Sequence, residues 1–134
     1  MEKQIIILRG ASGSGKSSFA ELIAQPKKIC CADFYYEKNG SYDFDPSKIG
    51  EAHQQCKDEF DVACVSPFIK NIVIANTNTK PSDYQYYVDK AKEHGIKVTF
   101  VVLEKRHDGK NTHNVPEHVI QRQHDNLIND LKLK

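Results

Sequence analysis

LRGASGSGKSS, Leu8–Ser18, follows the apolar run QIII and opens the helical pattern KSSFAELIAQ. Inside it, Gly10–Ser17 reads G-A-S-G-S-G-K-S and meets the pattern G-x-x-x-x-G-K-[ST] at every fixed position. Glycines let the chain curl so that successive backbone N–H groups point inward. The start of the following helix adds the positive end of its dipole. The anion that fits such a cradle is a phosphate. The candidate phosphate-binding residues are Gly10, Ser12, Gly13, Ser14, Gly15, Lys16, Ser17 and Ser18. Lys16 is expected to reach the outer phosphates of a nucleotide, and the Ser17 hydroxyl to coordinate Mg²⁺. The alternative is a ligand-free Gly/Ser turn, in which a lysine placed directly behind it has no structural use.

Outward from the loop, strands and helices alternate. KQIIILRG predicts a buried strand, and Phe19, Leu22 and Ile23 predict the inner face of a helix that Pro26 ends. KKICCAD predicts a second strand ending near Asp33, followed by a loop over FYYEKNGSYDFDP. Asp45-Pro46 is a helix start, Asp as N-cap and Pro in the first turn, with the helix running towards Val65. NIVIANTN predicts a third buried strand and a polar turn. KPSDYQYYVDKAKEHG predicts a helix on which Tyr84, Tyr86 and Tyr87 pack. IKVTFVVLE predicts a fourth strand, KRHDGKNTHN a basic loop, and the C-terminal segment a helix with Val119, Ile120, Leu127, Ile128 and Leu131 inward. This order predicts an α/β fold: a parallel sheet of about four strands with helices on both faces. Ligands of such sheets bind beyond the carboxyl ends of the strands. Four loops meet there, spanning 10–17, 33–45, 76–80 and 104–114.

The chain of 134 residues is expected to form one domain, residues 1–134. With 19 Lys and Arg against 18 acids the net charge is +1, so no global charge draws it to nucleic acid or membrane. Its four cysteines lack metal-ligand spacing, and Cys30 and Cys31 are adjacent in an apolar run. They read as buried reduced thiols, which implies a cytoplasmic setting. No apolar run is long enough to span a membrane.

Phosphoryl transfer needs alignment, charge neutralisation and an acceptor relieved of its proton. Asp33, beside the phosphate loop, is the candidate base; the competing role is to start a turn or cap a backbone N–H. Phe34, Tyr35, Tyr36, Tyr42 and Phe44 divide between stacking on a substrate and covering the core. Lys105, Arg106, His107 and Lys110 form a basic loop at the sheet's carboxyl edge, where a lid neutralises transferring charge. Lys110 and Arg122 are its candidate catalytic cations, and His113 a candidate for orienting it.

ADFYYEKNGSYDFDPSKIGEAHQQC, IVIANTN and KNTHNVPEHVIQRQ, in this order, resemble segments of a P-loop kinase family. That family includes the phage-type polynucleotide 5′-hydroxyl kinases and the related ubiquitin-ligase-binding ATPase proteins. The resemblance implies a P-loop kinase-like three-layer sandwich with sheet order 2-3-1-4. It implies ATP as donor, Mg²⁺, and a 5′-hydroxyl acceptor on a nucleic acid. Gly10, Gly15, Lys16 and Ser17 match the family's phosphate loop. Of its paired acids after strand two, Ala32 replaces the first and Asp33 matches the second. Tyr35 stands near the place of an acceptor-side Arg, and Ala75 and Asn76 where an Asp is often found; Thr77 and Asn78 match. Lys110 stands for a lid Arg, keeping the charge without the planar fork, and Arg122 matches a basic position. Three functions follow: a polynucleotide kinase-like phosphotransferase, a nucleoside or small-molecule kinase, or a nucleotide-binding module of weak ATPase activity acting through a protein partner.

Overall fold

The computed structural model describes residues 2–38, 40–104 and 115–131. β1 (Gln4–Arg9), β2 (Lys27–Cys30), β5 (Asn71–Ile74) and β6 (Lys97–Val102) form one parallel sheet in the order β2-β5-β1-β6. Counted along the chain, the order of these strands is 2-3-1-4, as the family resemblance implied. β3 (Glu37–Lys38) and β4 (Ser41–Tyr42) form a separate antiparallel hairpin. The helices are α1 (Lys16–Glu21), α2 (Ile49–Val65), α3 (Pro81–His94) and α4 (Glu117–Leu131).

The period-2 alternation of β1 builds the layers. Ile5 and Ile7 face α2 and α3, where they join Phe60, Ile72, Ile74 and Tyr87 in the larger core. Leu8 and Ile6 face the other side, with Phe19, Ala20, Ile23 and Val73. β5 lies between β2 and β1 and is buried along its whole length, so its run of Ile and Val needs no polar alternation. The expected packing role of the tyrosines on α3 holds: Tyr87 lies edge-on to Phe60 at 4.9 Å, and Tyr86 donates to Asp61 at 2.7 Å. All four cysteines are buried and free, as the sequence suggested. No helix among the described residues is long and apolar enough to cross a membrane.

Four expectations change. The helix expected from Asp45-Pro46 begins only at Ile49: the Asp45 carboxylate accepts from the Ser47 N–H at 3.0 Å and caps a separate 3₁₀ turn, Pro46–Lys48. The first helix stops at Glu21 rather than near Pro26, and Leu22 is 84% exposed instead of packed. The Lys27 ammonium donates to the carbonyls of Ala20 and Glu21 at 3.0 and 2.8 Å. A cation on these last carbonyls satisfies them without a further turn. The segment after β2 is not an irregular loop but a 3₁₀ turn, Ala32–Tyr36, followed by the β3–β4 hairpin. Asp33 therefore lies inside the turn, past the strand end. On α4, Ile120 and Leu127 are buried as expected, but Ile128 and Leu131 are exposed. The inner stripe runs through Ile120, Gln123, Leu127 and Asp130, because two of its members make polar contacts with the body of the protein.

Arg9 makes the central one of these contacts. It is only 6% exposed at the end of β1. Its Nε donates to the Asn78 carbonyl at 2.8 Å, and one terminal nitrogen reaches the Thr79 carbonyl and the Asp130 carboxylate. Its guanidinium carbon lies 4.7 Å from the ring centre of Tyr84, whose hydroxyl also donates to Asp130, at 3.1 Å. β1, the turn after β5, α3 and α4 are thus joined at one buried charge. Removing one partner of such a pair leaves the other charge uncompensated, at a cost of about 3–5 kcal/mol. Asp130→Ala is expected to lower unfolding stability in denaturant titrations by about 3 kcal/mol, and Arg9→Met with Asp130→Leu to recover most of it. A loss below about 1 kcal/mol for the single variant contradicts this role for the pair.

Candidate active site

The phosphate loop begins at a point of close backbone approach. A Cβ on Gly10 would lie 2.4 Å from Ser14 Oγ and 2.6 Å from the Leu103 carbonyl. The Gly10 N–H donates to the Thr77 carbonyl at 3.0 Å, so the loop leaves β1 wedged between the ends of β5 and β6. Only a residue without a side chain fits there. Gly15 turns with φ 98° just before α1. Ser14 is 4% exposed, and its hydroxyl has no hydrogen-bond partner among the described residues. A buried orphan hydroxyl inside a curled Gly-rich loop fits a loop whose polar groups are completed by a ligand.

Lys16 lies across the loop, its ammonium donating to the carbonyls of Gly10 and Ala11 at 2.9 and 3.0 Å. Burial pushes its pKa down to about 8, against the opposing pull of Cys31 and Asp33. Ser17 and Ser18 are exposed on the first turn of α1. An oxygen donor there suits a hard cation such as Mg²⁺, which keeps waters and phosphate oxygens as its other ligands. Among the described residues no group of three or more His, Cys, Asp or Glu gathers into a protein metal cage.

Asp33 is half-buried in the 3₁₀ turn after β2; its charge raises the Lys16 pKa against burial and adds to the rise of the Cys31 thiol. Burial, followed by Asp33, holds the Cys31 thiol up at about 12, so it stays protonated. The turn is fixed by Asn76, whose Oδ1 accepts from the Ala32 N–H at 2.8 Å and whose Nδ2 donates to Cys56 Sγ at 3.5 Å. Asn78, fully buried in a left-handed conformation, donates to the Leu8 carbonyl at 2.7 Å and latches the turn after β5 onto β1. Asn78 therefore works on backbone, and Asn76 on one backbone N–H and the Cys56 sulfur. Tyr42 donates to Asp33 Oδ1 at 3.1 Å. Tyr35, near the place of the family's Arg, hydrogen-bonds Glu51, which also meets Lys48 at 3.6 Å. Tyr36 is buried among Tyr35, Tyr42 and Phe44, whereas Phe34 and Phe44 keep exposed faces.

Arg122 is exposed on α4. Gln123, not singled out in the sequence, reaches the loop instead: its Oε1 accepts from the Ser12 N–H at 3.0 Å. Beside this contact Ala11, Glu117, Ile120, Gln121 and His124 line a cavity of about 210 Å³. Lys105, Arg106, His107, Lys110 and His113 lie outside the described residues. Arg9 and Gln123 are not singled out by the sequence, and Tyr42, one of the five rings it names, takes a hydrogen-bonding role on Asp33 that the sequence does not suggest. Their types are ordinary, and only tertiary contacts give them roles.

No protein-family model matches the chain. NEDD4-binding protein 2 of Homo sapiens is 35% identical over 103 residues, 72% of this chain and 6% of that protein. The chain thus spans a small part of the curated relative it matches. Among solved structures, the AvrRxo1-ORF1:-ORF2 complex with ATP superposes with TM-score 0.68 at 15% identity, over 94% of this chain and 47% of that one. The Pnkp1/Rnl/Hen1 complex gives TM-score 0.56 at 20% identity, over 99% and 41%. The APS kinase CysC of Mycobacterium tuberculosis gives 0.55 at 17% identity, over 97% of both chains. The fold is that of the P-loop kinases.

The state of Lys16 sets a pH dependence. In the free protein burial lowers the Lys16 pKa from the usual lysine range to about 8, so the ammonium loses its proton there. A bound phosphate favours the charged form, so binding above pH 8 takes up a proton. Affinity for tripolyphosphate, measured by calorimetry, is expected to be flat towards pH 8 and then to weaken by up to about tenfold per pH unit. In Lys16→Arg, whose guanidinium stays charged, this fall is expected to vanish. Unchanged wild-type affinity from pH 7 to about pH 9.5 contradicts the placement of Lys16 on the phosphates.

Proposed function

We propose that the protein is an ATP-dependent phosphotransferase that moves the γ-phosphate to a hydroxyl, with the 5′-hydroxyl of a nucleic acid as the leading acceptor. One observation carries this reading. The loop that fits a phosphate chain holds Lys16, and the charge of Asp33 acts on that same lysine from the adjacent turn. A phosphate cradle facing a carboxylate supplies the two sides that transfer needs.

In this reading Gly10, Ser12, Gly13, Ser14, Gly15 and Ser18 surround the phosphates, and Lys16 releases the loop carbonyls to meet the outer ones. Ser17 would hold Mg²⁺, which supplies neutralisation of phosphate charge. The acceptor hydroxyl gives its proton to the Asp33 carboxylate as its oxygen bonds the γ-phosphorus. The bond from that phosphorus to the β-phosphate oxygen breaks, and its electron pair leaves on ADP. Lys110 and Arg122 would close over the transferring group. The exposed rings of Phe34, which follows Asp33 in the chain, and of Phe44, packed on Tyr36, favour a planar acceptor such as a base.

A second reading has its own support. Ala32 and Ala75 stand at two positions where the resembling kinases carry acids, and the matched relative is named for binding another protein. On that reading the chain is a nucleotide-binding module with weak ATPase activity that serves a protein partner. Incubation with γ-labelled ATP, 5′-hydroxyl oligonucleotides and free nucleosides separates these functions. Label on the oligonucleotide is expected. Label on the nucleoside alone makes it a small-molecule kinase, and label only in free phosphate, or none released, favours the binding module.

A further inference from the structure

We propose that Tyr42 is a positioning residue for Asp33, holding the carboxylate in the orientation in which it receives the acceptor's proton. The inference rests on the reading of Asp33 as that proton acceptor. The Tyr42 hydroxyl donates to Asp33 Oδ1 at 3.1 Å. A hydroxyl on a carboxylate makes a charge-assisted bond, stronger than a neutral one, and fixes the oxygen it touches.

The phenol reaches Asp33 from the β3–β4 hairpin. Tyr42 pairs with Glu37 across the β3–β4 hairpin. Its ring stands edge-on to Tyr36, centroids 5.9 Å apart, and Tyr36 is itself buried. The next residue, Asp43, donates its N–H back to the Tyr36 carbonyl at 2.9 Å. The carboxylate's own segment is also tied by Asn76 at Ala32 and by the Phe34 N–H on the Cys31 carbonyl at 3.1 Å. The 3₁₀ turn and the hairpin, already packed together through Tyr36, thus meet again at the hydrogen bond between Tyr42 and Asp33. Among the described residues, groups whose charge couples to Asp33 include Lys16 on α1, Cys31 after β2, Tyr36 in the 3₁₀ turn and Tyr42 on β4. Of these, Tyr42 is the one with a hydroxyl on the carboxylate. Burial and the neighbouring Asp33 charge push the ionisation of the Tyr42 phenol well up, so it remains a donor across the neutral range.

Ala32 stands where the resembling kinases carry the other carboxylate of the pair, which could fix the first by a shared proton or metal-bound water. In this proposal the Tyr42 hydroxyl, a neutral donor on the hairpin, does that work. Tyr42 neither gives nor takes a proton in the transfer; it restricts Asp33 to the geometry in which the proton moves. Misplacing a catalytic group by about 1 Å costs up to about 100-fold in rate.

The test uses Tyr42→Phe, which keeps the ring and removes the hydroxyl. Single-turnover release of label from γ-labelled ATP is measured, to a 5′-hydroxyl oligonucleotide or, if none gains label, to water. The rate is expected to fall about 10- to 100-fold, with ATP affinity and melting temperature unchanged. Asp33→Asn is expected to lose more, and the double variant to be no slower than Asp33→Asn alone, because the two groups act as one. Multiplicative losses in the double variant, or a wild-type rate for Tyr42→Phe beside a crippled Asp33→Asn, overturn the role of Tyr42 and leave that of Asp33. A wild-type rate in Asp33→Asn, or no release of label by the unmodified protein, overturns the reading beneath it and this inference with it.

Discussion

A buried guanidinium governs where everything else can sit. Arg9 ends β1 one residue before the phosphate loop, and a charge withdrawn from water there must be met by acceptors. Two backbone carbonyls of the turn after β5, the Asp130 carboxylate and the face of Tyr84 meet it. These partners come from three separate stretches of chain, so their convergence sets the end of β1 relative to α3 and α4. Gly10 then passes between Ser14 and the Leu103 carbonyl with no room for a methyl group. The curl of the loop, the seat of Lys16 and the contact of Gln123 with Ser12 all inherit that position.

The two sides of the site are built from different materials. The donor side is mostly backbone, a Gly-rich curl in which the one strong side chain, Lys16, rests on the loop's own carbonyls. On the proposed function, such a side would recognise phosphate whatever nucleoside carries it. The acceptor side is mostly side chain: a single acid, a tyrosine hydroxyl and a cluster of rings on a short hairpin. Asn76 shows how the balance shifted. Where an acid could sit, a neutral amide bonds the Ala32 N–H with its oxygen and Cys56 with its nitrogen, a pairing no carboxylate could make. The strand end thereby supports the turn that carries Asp33 instead of contributing charge.

Much of this was legible in the sequence. The apolar runs of β1, β2, β5 and β6 and the ends of α3 at Pro81 and Gly95 follow from pattern and from Pro and Gly placement, since local physics dominates there. Where tertiary contacts compete with local preference, the reading failed. Leu22 looked like part of a packed helical face, but Lys27, after the helix, takes the carbonyls that would have continued it. Ile128 and Leu131 looked buried by period, but Asp130 is drawn inward by Arg9 and turns the helix past them. Arg9 was inside the most informative stretch of the sequence and carried no signal, because an arginine beside a Gly-rich loop is as easily a ligand as a strut. Tyr42 was one of five rings in a polar segment, and only the hairpin register separates it from the others.

The claim at the centre of this account is that Lys16 and the loop around it bind the phosphates of a nucleotide. Calorimetric titration of the protein and of Lys16→Ala with ATP and Mg²⁺ tests it most directly. The account predicts tight, exothermic binding by the protein and a loss of about tenfold or more in affinity for the variant, the scale of a buried charge-assisted contact. Equal affinity for the two proteins, or no binding by either, would contradict it.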